Sequence, residues 1–275
     1  MNLHELFELS PHGNDVSVGT GHPYPWGGLY GGHIVAQSLR AAGATVESNM
    51  LPHSLRAYFI RRGDNTETVR YEVDRIRNGR SFSTRRVVAR QSVGAILNLE
   101  ASFQVHEPSV EATTISMAPG VPQPQELPDQ PDAGWGGFFQ QRDIPIDYKW
   151  EDKRDGTGRL AAWYKLNEDF GADQMLQRCA LAYLSDDLPT GAVIRGVPEL
   201  RELWGTENAF FSASLDHTVW FHRPVDASQW HLYEMNCHSY INGRGLAFGY
   251  VFAQDGTHVA TVAQETLVRI RDDKH

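Results

Sequence analysis

Tyr58-Phe59-Ile60-Arg61-Arg62-Gly63-Asp64 and Trp220-Phe221-His222-Arg223-Pro224-Val225-Asp226 are two copies of one strand start, 162 positions apart. Each is followed by the same landmarks. The first copy continues through Tyr71-Glu72, Asn78-Gly79-Arg80 and Gln91; the second continues through Tyr233-Glu234, Asn242-Gly243-Arg244 and Gln254. An internal repeat of this length sets the architecture before any motif is read. It predicts two similar halves with one plan: a helix followed by an antiparallel meander.

The helix of the first half is expected over 31–45, where Ile34, Val35, Leu39, Ala42 and Val46 recur at helical spacing. Its many alanines and glycines make it slim enough for a sheet to wrap closely. Strands follow over 54–60, 68–77, 80–91 and 95–105, with Asn78-Gly79 as a type I′ hairpin signal. In the second half, strands are expected over 144–150 and 160–166. A helix over 171–185 aligns with the first, because Gly31 to Gln37 and Gly171 to Gln177 share one spacing. Strands then cover 209–222, 229–240, 244–254 and 257–270. Between the halves, six of the 14 prolines lie from Pro108 to Pro131, which predicts a connector over 106–140, partly extended and partly mobile. The units are thus 1–105, 106–140 and 141–275. The fold class is α+β: two curved antiparallel sheets, each around one long helix, joined edge to edge so that no central edge stays open.

Composition narrows the function. A net charge of -9 argues against nucleic acid or an anionic membrane as partner. Cys179 and Cys237 have neither disulfide nor zinc spacing and read as small buried residues. The N-terminus lacks a signal-peptide pattern, no apolar run approaches the ~20 residues that span a bilayer, and Asp273-Lys274-His275 is no sorting signal, so a cytoplasmic protein is expected. There is no Gly-x-Ser-x-Gly, no phosphate-binding loop, no His-Glu-x-x-His and no dinucleotide fingerprint. Chemistry with water and side chains alone, without metal or cofactor, is the expectation.

Four blocks carry a family resemblance: Leu29-Tyr30-Gly31-Gly32-His33-Ile34-Val35-Ala36-Gln37, Asn78-Gly79-Arg80-Ser81-Phe82-Ser83-Thr84-Arg85-Arg86, Ser214-Leu215-Asp216-His217-Thr218-Val219-Trp220-Phe221-His222-Arg223-Pro224, and Val262-Ala263-Gln264-Glu265. In this order they resemble the acyl-CoA thioesterase II family. The resemblance implies a double hot-dog fold and hydrolysis of acyl-CoA to free acid and CoA. It also implies a catalytic trio at Asp186, Ser214 and Gln264, with Ser where some members have Thr. Asp187 is the neighbour that a one-residue slip would select. On the same grounds a homo-oligomer, dimer or tetramer, is expected.

Laid on the second copy, the first offers Val46 opposite Asp186, Ser54 opposite Ser214, and Glu100 or Ala101 opposite Gln264. One site per chain follows. Backbone donors at Gly31 and Gly32, at a helix N-terminus, are the expected oxyanion ligands, and they make the site span both halves. Tyr24, Trp26 and Tyr30 are candidates for the acyl pocket or for plain packing. Arg61, Arg62, Arg85 and Arg86 are candidates for CoA phosphates, with solvated strand faces as the simpler reading. Asp216 and His217 are read as hydrogen-bonding groups that hold the halves together. The competing enzyme is a hot-dog hydratase or dehydratase using His33, and the competing non-enzyme is an acyl-CoA-binding protein with a weakened site.

Overall fold

The computed structural model describes residues 2–130, 137–152 and 157–271; Pro131 of the proline-rich stretch and residues 273–275 lie outside the described residues. The first half contains α1 (Leu3–Phe7), β1 (Ser10–Pro11), β2 (Val16–Gly19), α2 (Gly31–Gly43), β3 (Met50–Phe59), β4 (Val69–Asn78), β5 (Phe82–Gln91) and β6 (Gly94–Val105). After the connector come β7 (Phe139–Asp143), β8 (Thr157–Leu166), α3 (Gln174–Ser185), α4 (Pro189–Gly196), α5 (Pro198–Arg201), β9 (Phe210–Ser214), β10 (Asp216–Phe221), β11 (His231–Ile241), β12 (Arg244–Ala253) and β13 (His258–Ile270). All strands share one antiparallel sheet in the order β1-β2-β4-β5-β6-β3-β10-β13-β12-β11-β8-β7, with β9 also on β13. The halves join where β3 pairs β10, from Asp216 against Tyr58 to Trp220 against Ser54. This is the double hot-dog architecture.

The two central helices pack on each other across that seam. Small residues permit the approach: a Cβ on Gly32 would collide with the Tyr183 carbonyl, and one on Gly43 would meet Met175. Each helix ties its half together through one buried glutamine. Gln37 donates to the carbonyls of Leu6 and Thr20 and accepts from Tyr71 Oη. Gln177 donates to Gly171 O and accepts from the Ala227 N–H. The repeated Gln and Tyr landmarks are therefore structural.

The outer faces of the halves differ. In the second half Ala162, Tyr164, Tyr233 and Val251 face the helices, while their strand neighbours Ala161, Trp163, Leu232 and Phe252 are buried on the other side against Ala118 and Val121 of the connector. Trp163 Nε1 donates to Pro122 O at 2.9 Å. The connector from Ile115 to Leu127 is thus packed cover, and its one helical element among the described residues is a short 3₁₀ turn at Pro124–Glu126. Sheets buried on both faces lose the apolar–polar alternation that marks half-exposed strands. In the first half the outer face carries a ladder of ion pairs, Arg86 with Asp74 and Arg70 and Arg90 with Glu72.

Several boundaries depart from the sequence expectation. The expected strand over 144–150 is a turn around Pro145, and the strand lies just before it as β7. Pro145 lacks a ladder donor, so pairing ends at Ile144 N–H on Ala161 O. The second helix starts three residues late: Gly171 has φ +54, and Asp173 caps the helix by accepting from the Met175 and Leu176 N–H groups. Asn242-Gly243 is the expected two-residue turn, with φ +55 and +74 between paired Ile241 and Arg244. Asn78-Gly79 is not; neither has positive φ, and the turn is longer because Asn78 Oδ1 is drawn onto Arg85. The short elements α1, β1, β2, α4 and α5 were not expected.

Arg85 is also the first correction to the candidate site. It is only 1% exposed, and its donors go to Thr45 Oγ1, Thr45 O, Arg77 O, Thr84 O and Asn78 Oδ1. It binds the end of α2 to the β4–β5 turn and cannot reach a phosphate. Arg85→Ala is expected to destabilise the fold by about 3 kcal/mol, through several orphaned acceptors and lost packing, with the kinetics of the folded protein unchanged. Denaturant titration and initial rates check both.

Candidate active site

Asp186 ends α3 as its C-cap, with φ -86 and ψ -2, and its side chain turns back beneath the start of α2. Gly31 opens α2, and a Cβ there would collide with Asp186 Oδ2 and with the Phe59 ring. Glycine at this position is what lets the carboxylate reach the helix start. Ser214 closes β9, and Gln264 points inward from β13 with no exposed surface. The structure brings the three together. Gln264 Nε2 donates to Ser214 Oγ at 2.8 Å, and Ser214 Oγ donates to Asp186 Oδ1 at 3.3 Å. The Gln264 amide and the Gly32 N–H also bond Asp186.

Electrostatics mark this carboxylate. Burial pushes Asp186 up to about 7, against the hydrogen bonds of Gln264, Ser214 and Gly32, which pull down; the charge of Asp187 adds a further push upward. The positive end of the α2 dipole favours the ionised form in the same direction as the Gly32 N–H. Asp187 points elsewhere. Its carboxylate accepts from Tyr164 Oη, and burial raises it to about 6. Asp186 is therefore the residue that meets Ser214 and Gln264.

The aromatic candidates divide. Tyr30 is buried, and its hydroxyl donates to Tyr183 O at 2.8 Å. Tyr24 stacks on Tyr30 with ring centroids 5.1 Å apart, and Trp26, 67% exposed, leans on Tyr24 at 4.9 Å. Burial and the two aspartates hold the Tyr24 and Tyr30 phenols well above their ordinary range, so both stay neutral. These rings form a wall running from the Asp186 end of the helices to the surface. Arg62, exposed, donates to Trp26 O, and Arg61, exposed, donates to Ala95 O. Arg86 is held by Asp74 on the outer ladder, away from this wall.

His33 does not join the site. It is buried beside Gln37, Thr20 and His22, and burial lowers it to about 4. A hydratase built on His33 has no geometric support. Asp216 does bridge the halves: it accepts from the Glu265 N–H and pairs with Arg56 of β3 at 3.5 Å. His217 departs from its expected bridging role. It points inward, wholly buried, with Nδ1 2.5 Å from Gln264 Oε1 and Nε2 2.8 Å from Ser185 Oγ. Strand alternation shows 217 on the inner face, but the partners of the ring come only from the fold.

Register also corrects the comparison of copies. β3 has a bulge at His53, between Pro52 and Ser54, and the strand pairing of the second copy breaks at Leu215, between Ser214 and Asp216. Matching these breaks puts Pro52, not Ser54, opposite Ser214. Pro52 pairs Phe103 and Ser214 pairs Thr266, so Ala101 falls opposite Gln264. The mirror position therefore holds Val46, Pro52 and Ala101, none of which can activate water. Arg178 reaches into it and donates to Pro52 O at 2.5 Å.

Known proteins agree with this architecture. Residues 22–104 match the family described as the acyl-CoA thioesterase N-terminal domain, and residues 117–268 match the acyl-CoA thioesterase C-terminal domain. The chain is 31% identical to acyl-CoA thioesterase 2 of Haemophilus influenzae over 286 aligned positions, 98% of each chain. It is 32% identical to acyl-coenzyme A thioesterase 8 of Homo sapiens over 288 positions, 97% of this chain and 88% of that one. The crystal structure of the acyl-CoA thioesterase II TesB2 from Mycobacterium marinum superposes with a TM-score of 0.84 at 32% identity, covering 99% of both chains. With both halves matched in order and relatives aligned along the whole length, the chain belongs to the acyl-CoA thioesterase family.

Proposed function

We propose that this protein hydrolyses acyl-CoA thioesters to a free carboxylic acid and CoA by direct attack of one water. The observation that carries the mechanism is the buried Asp186, fixed by Ser214 and Gln264 against the N-terminus of α2. A carboxylate raised to about 7 is matched to general-base work near neutrality. Water held between Asp186, Ser214 and Gln264 attacks the carbonyl carbon and gives its proton to Asp186. Ser214 and Gln264 limit the water's rotation and supply the proximity term. Collapse of the tetrahedral intermediate breaks the C–S bond, and the CoA thiolate takes up the proton.

In this reading the two glycines divide the work. The Gly32 N–H already serves Asp186, so the oxyanion falls to Gly31 N–H in the same first helical turn. The acyl chain runs along Tyr24, Trp26 and Tyr30, and Arg61 and Arg62 are the phosphate contacts. No step calls for a metal or cofactor. The units over 1–105, 106–140 and 141–275, a cytoplasmic setting, and a dimer or tetramer complete the reading. Tyr58 and Trp220, 49% and 40% exposed on the outer face of the seam, support association there. No helix among the described residues is long and apolar enough to cross a membrane.

Thiol release from acyl-CoA of varied chain length is the direct test. Asp186→Asn and Gln264→Ala are each expected to lower turnover by about 100-fold or more; unchanged turnover in folded variants sinks the mechanism. Because Asp186 must be ionised, kcat/KM should fall as pH drops through about 7. Stability should show the opposite sign. The unfolded chain loses the Asp186 proton near 3.8 and the folded chain only near 7, so between these values rising pH destabilises the fold. Asp186→Asn should therefore raise the melting temperature at pH 8 and change it little at pH 4.

A further inference from the structure

The chain of hydrogen bonds behind Asp186 has a direction. An ionised carboxylate only accepts, so the Gln264 amide must present its N–H side to Ser214 and Asp186. Gln264 Oε1 then faces away, 2.5 Å from His217 Nδ1. Two acceptors cannot share that contact, so Nδ1 carries a proton. Burial holds the ring neutral, with its pKa lowered to about 4, which leaves Nε2 bare as an acceptor. The Ser185 hydroxyl lies 2.8 Å from that nitrogen and 3.0 Å from Ala182 O. It has one proton, and only donation to Nε2 pairs every member of the chain. All four side-chain donors then point the same way: Ser185 to His217, His217 to Gln264, Gln264 to Ser214 and Asp186, Ser214 to Asp186.

We infer that His217 is a positioning residue for the thioesterase reaction: its Nδ1–H locks the Gln264 amide with the N–H side toward Asp186. Without that donor the amide is free to turn over and set its oxygen against the carboxylate, where it repels the charge and cannot orient water. Every partner of the ring is buried, so water has no ready route to replace the lost donor. Ser185 acts one step further out by selecting the tautomer. This role rests on the Asp186 and Gln264 reading above.

Three substitutions in the full-length protein separate orientation from filling. His217→Asn carries an N–H close to the Nδ1 position, His217→Gln carries one close to Nε2, and His217→Leu carries none. The Gln and Leu variants are expected to lose about 100-fold in kcat with KM unchanged, and Asn to keep most of it. In His217→Leu the acid limb of kcat/KM should also move to higher pH, because the Gln264 hydrogen bond holds Asp186 down. Nitrogen-15 NMR of the ring, assigned by its loss in His217→Asn, should show a protonated Nδ1 and a bare Nε2. Near-native kcat in folded His217→Leu, equal losses in Asn and Gln, or a bare Nδ1 overturns the role. If His217→Leu does not fold, the contrast of Asn with Gln and the tautomer decide. Loss of turnover in Asp186→Asn and Gln264→Ala with none in the His217 variants removes this inference alone; activity surviving in both trio variants removes the reading beneath it.

Discussion

Five paired positions between β3 and β10 hold this molecule in one piece. Each half alone would end in an open strand edge, which invites association with other chains. Closing one edge on the other makes a continuous sheet and brings α2 and α3 side by side on its inner face. It also sets them so that the start of one helix lies against the end of the other. That juxtaposition places Gly31 and Gly32 on Asp186. The proposed active site depends on the seam: its acid, hydroxyl and amide come from the second half and its helix N-terminus from the first.

A buried carboxylate in such a place is costly to ionise, and the surroundings offset only part of the cost. Hydrogen bonds from Gln264, Ser214 and Gly32 favour the charge, but desolvation wins and Asp186 remains raised. A fully solvated aspartate would be too weak a base to take a proton from water near neutrality, and a fully buried, unpaired one would stay protonated. The balance depends on orientation, since Gln264 lowers the carboxylate only with its N–H side forward. On the mechanism proposed above, that gives His217 and Ser185 a positioning role without contact to the reacting atoms.

The duplication has two unequal products. Both copies retain the glutamine that ties the helix to its half, the aromatic-Phe strand start and the Tyr-Glu pair. The first copy has spent its outer face on ion pairs and its mirror site on Val46, Pro52 and Ala101. The second copy has its outer face covered by the connector and carries the acid, the hydroxyl and the amide. Arg178 against Pro52 O shows that the mirror position is filled.

The repeat, the helical spacing of Ile34, Val35 and Leu39, and the alternation of the strands were enough to determine two helix-plus-meander halves and their edge pairing, because burial of one face imposes a period that sequence displays directly. The family resemblance pointed to Ser214 and Gln264 within its blocks and to Asp186 through Tyr183-Leu184-Ser185-Asp186, and the fold brings these three side chains together. What sequence could not decide are matters of register and partnership. Pro52 rather than Ser54 is the counterpart of Ser214 in the first copy because two strand breaks align, and such a break leaves no mark until strands pair. Arg85 looks like an exposed strand arginine, yet five donors find acceptors in three separate segments and bury it. The strand expected over 144–150 lies earlier, as β7, because Pro145 has no ladder donor and pairing ends at Ile144. His217 bonds Gln264 instead of bridging the halves because a hydrogen-bond partner is set by three-dimensional proximity, and a separation of 47 positions hides that proximity from the sequence.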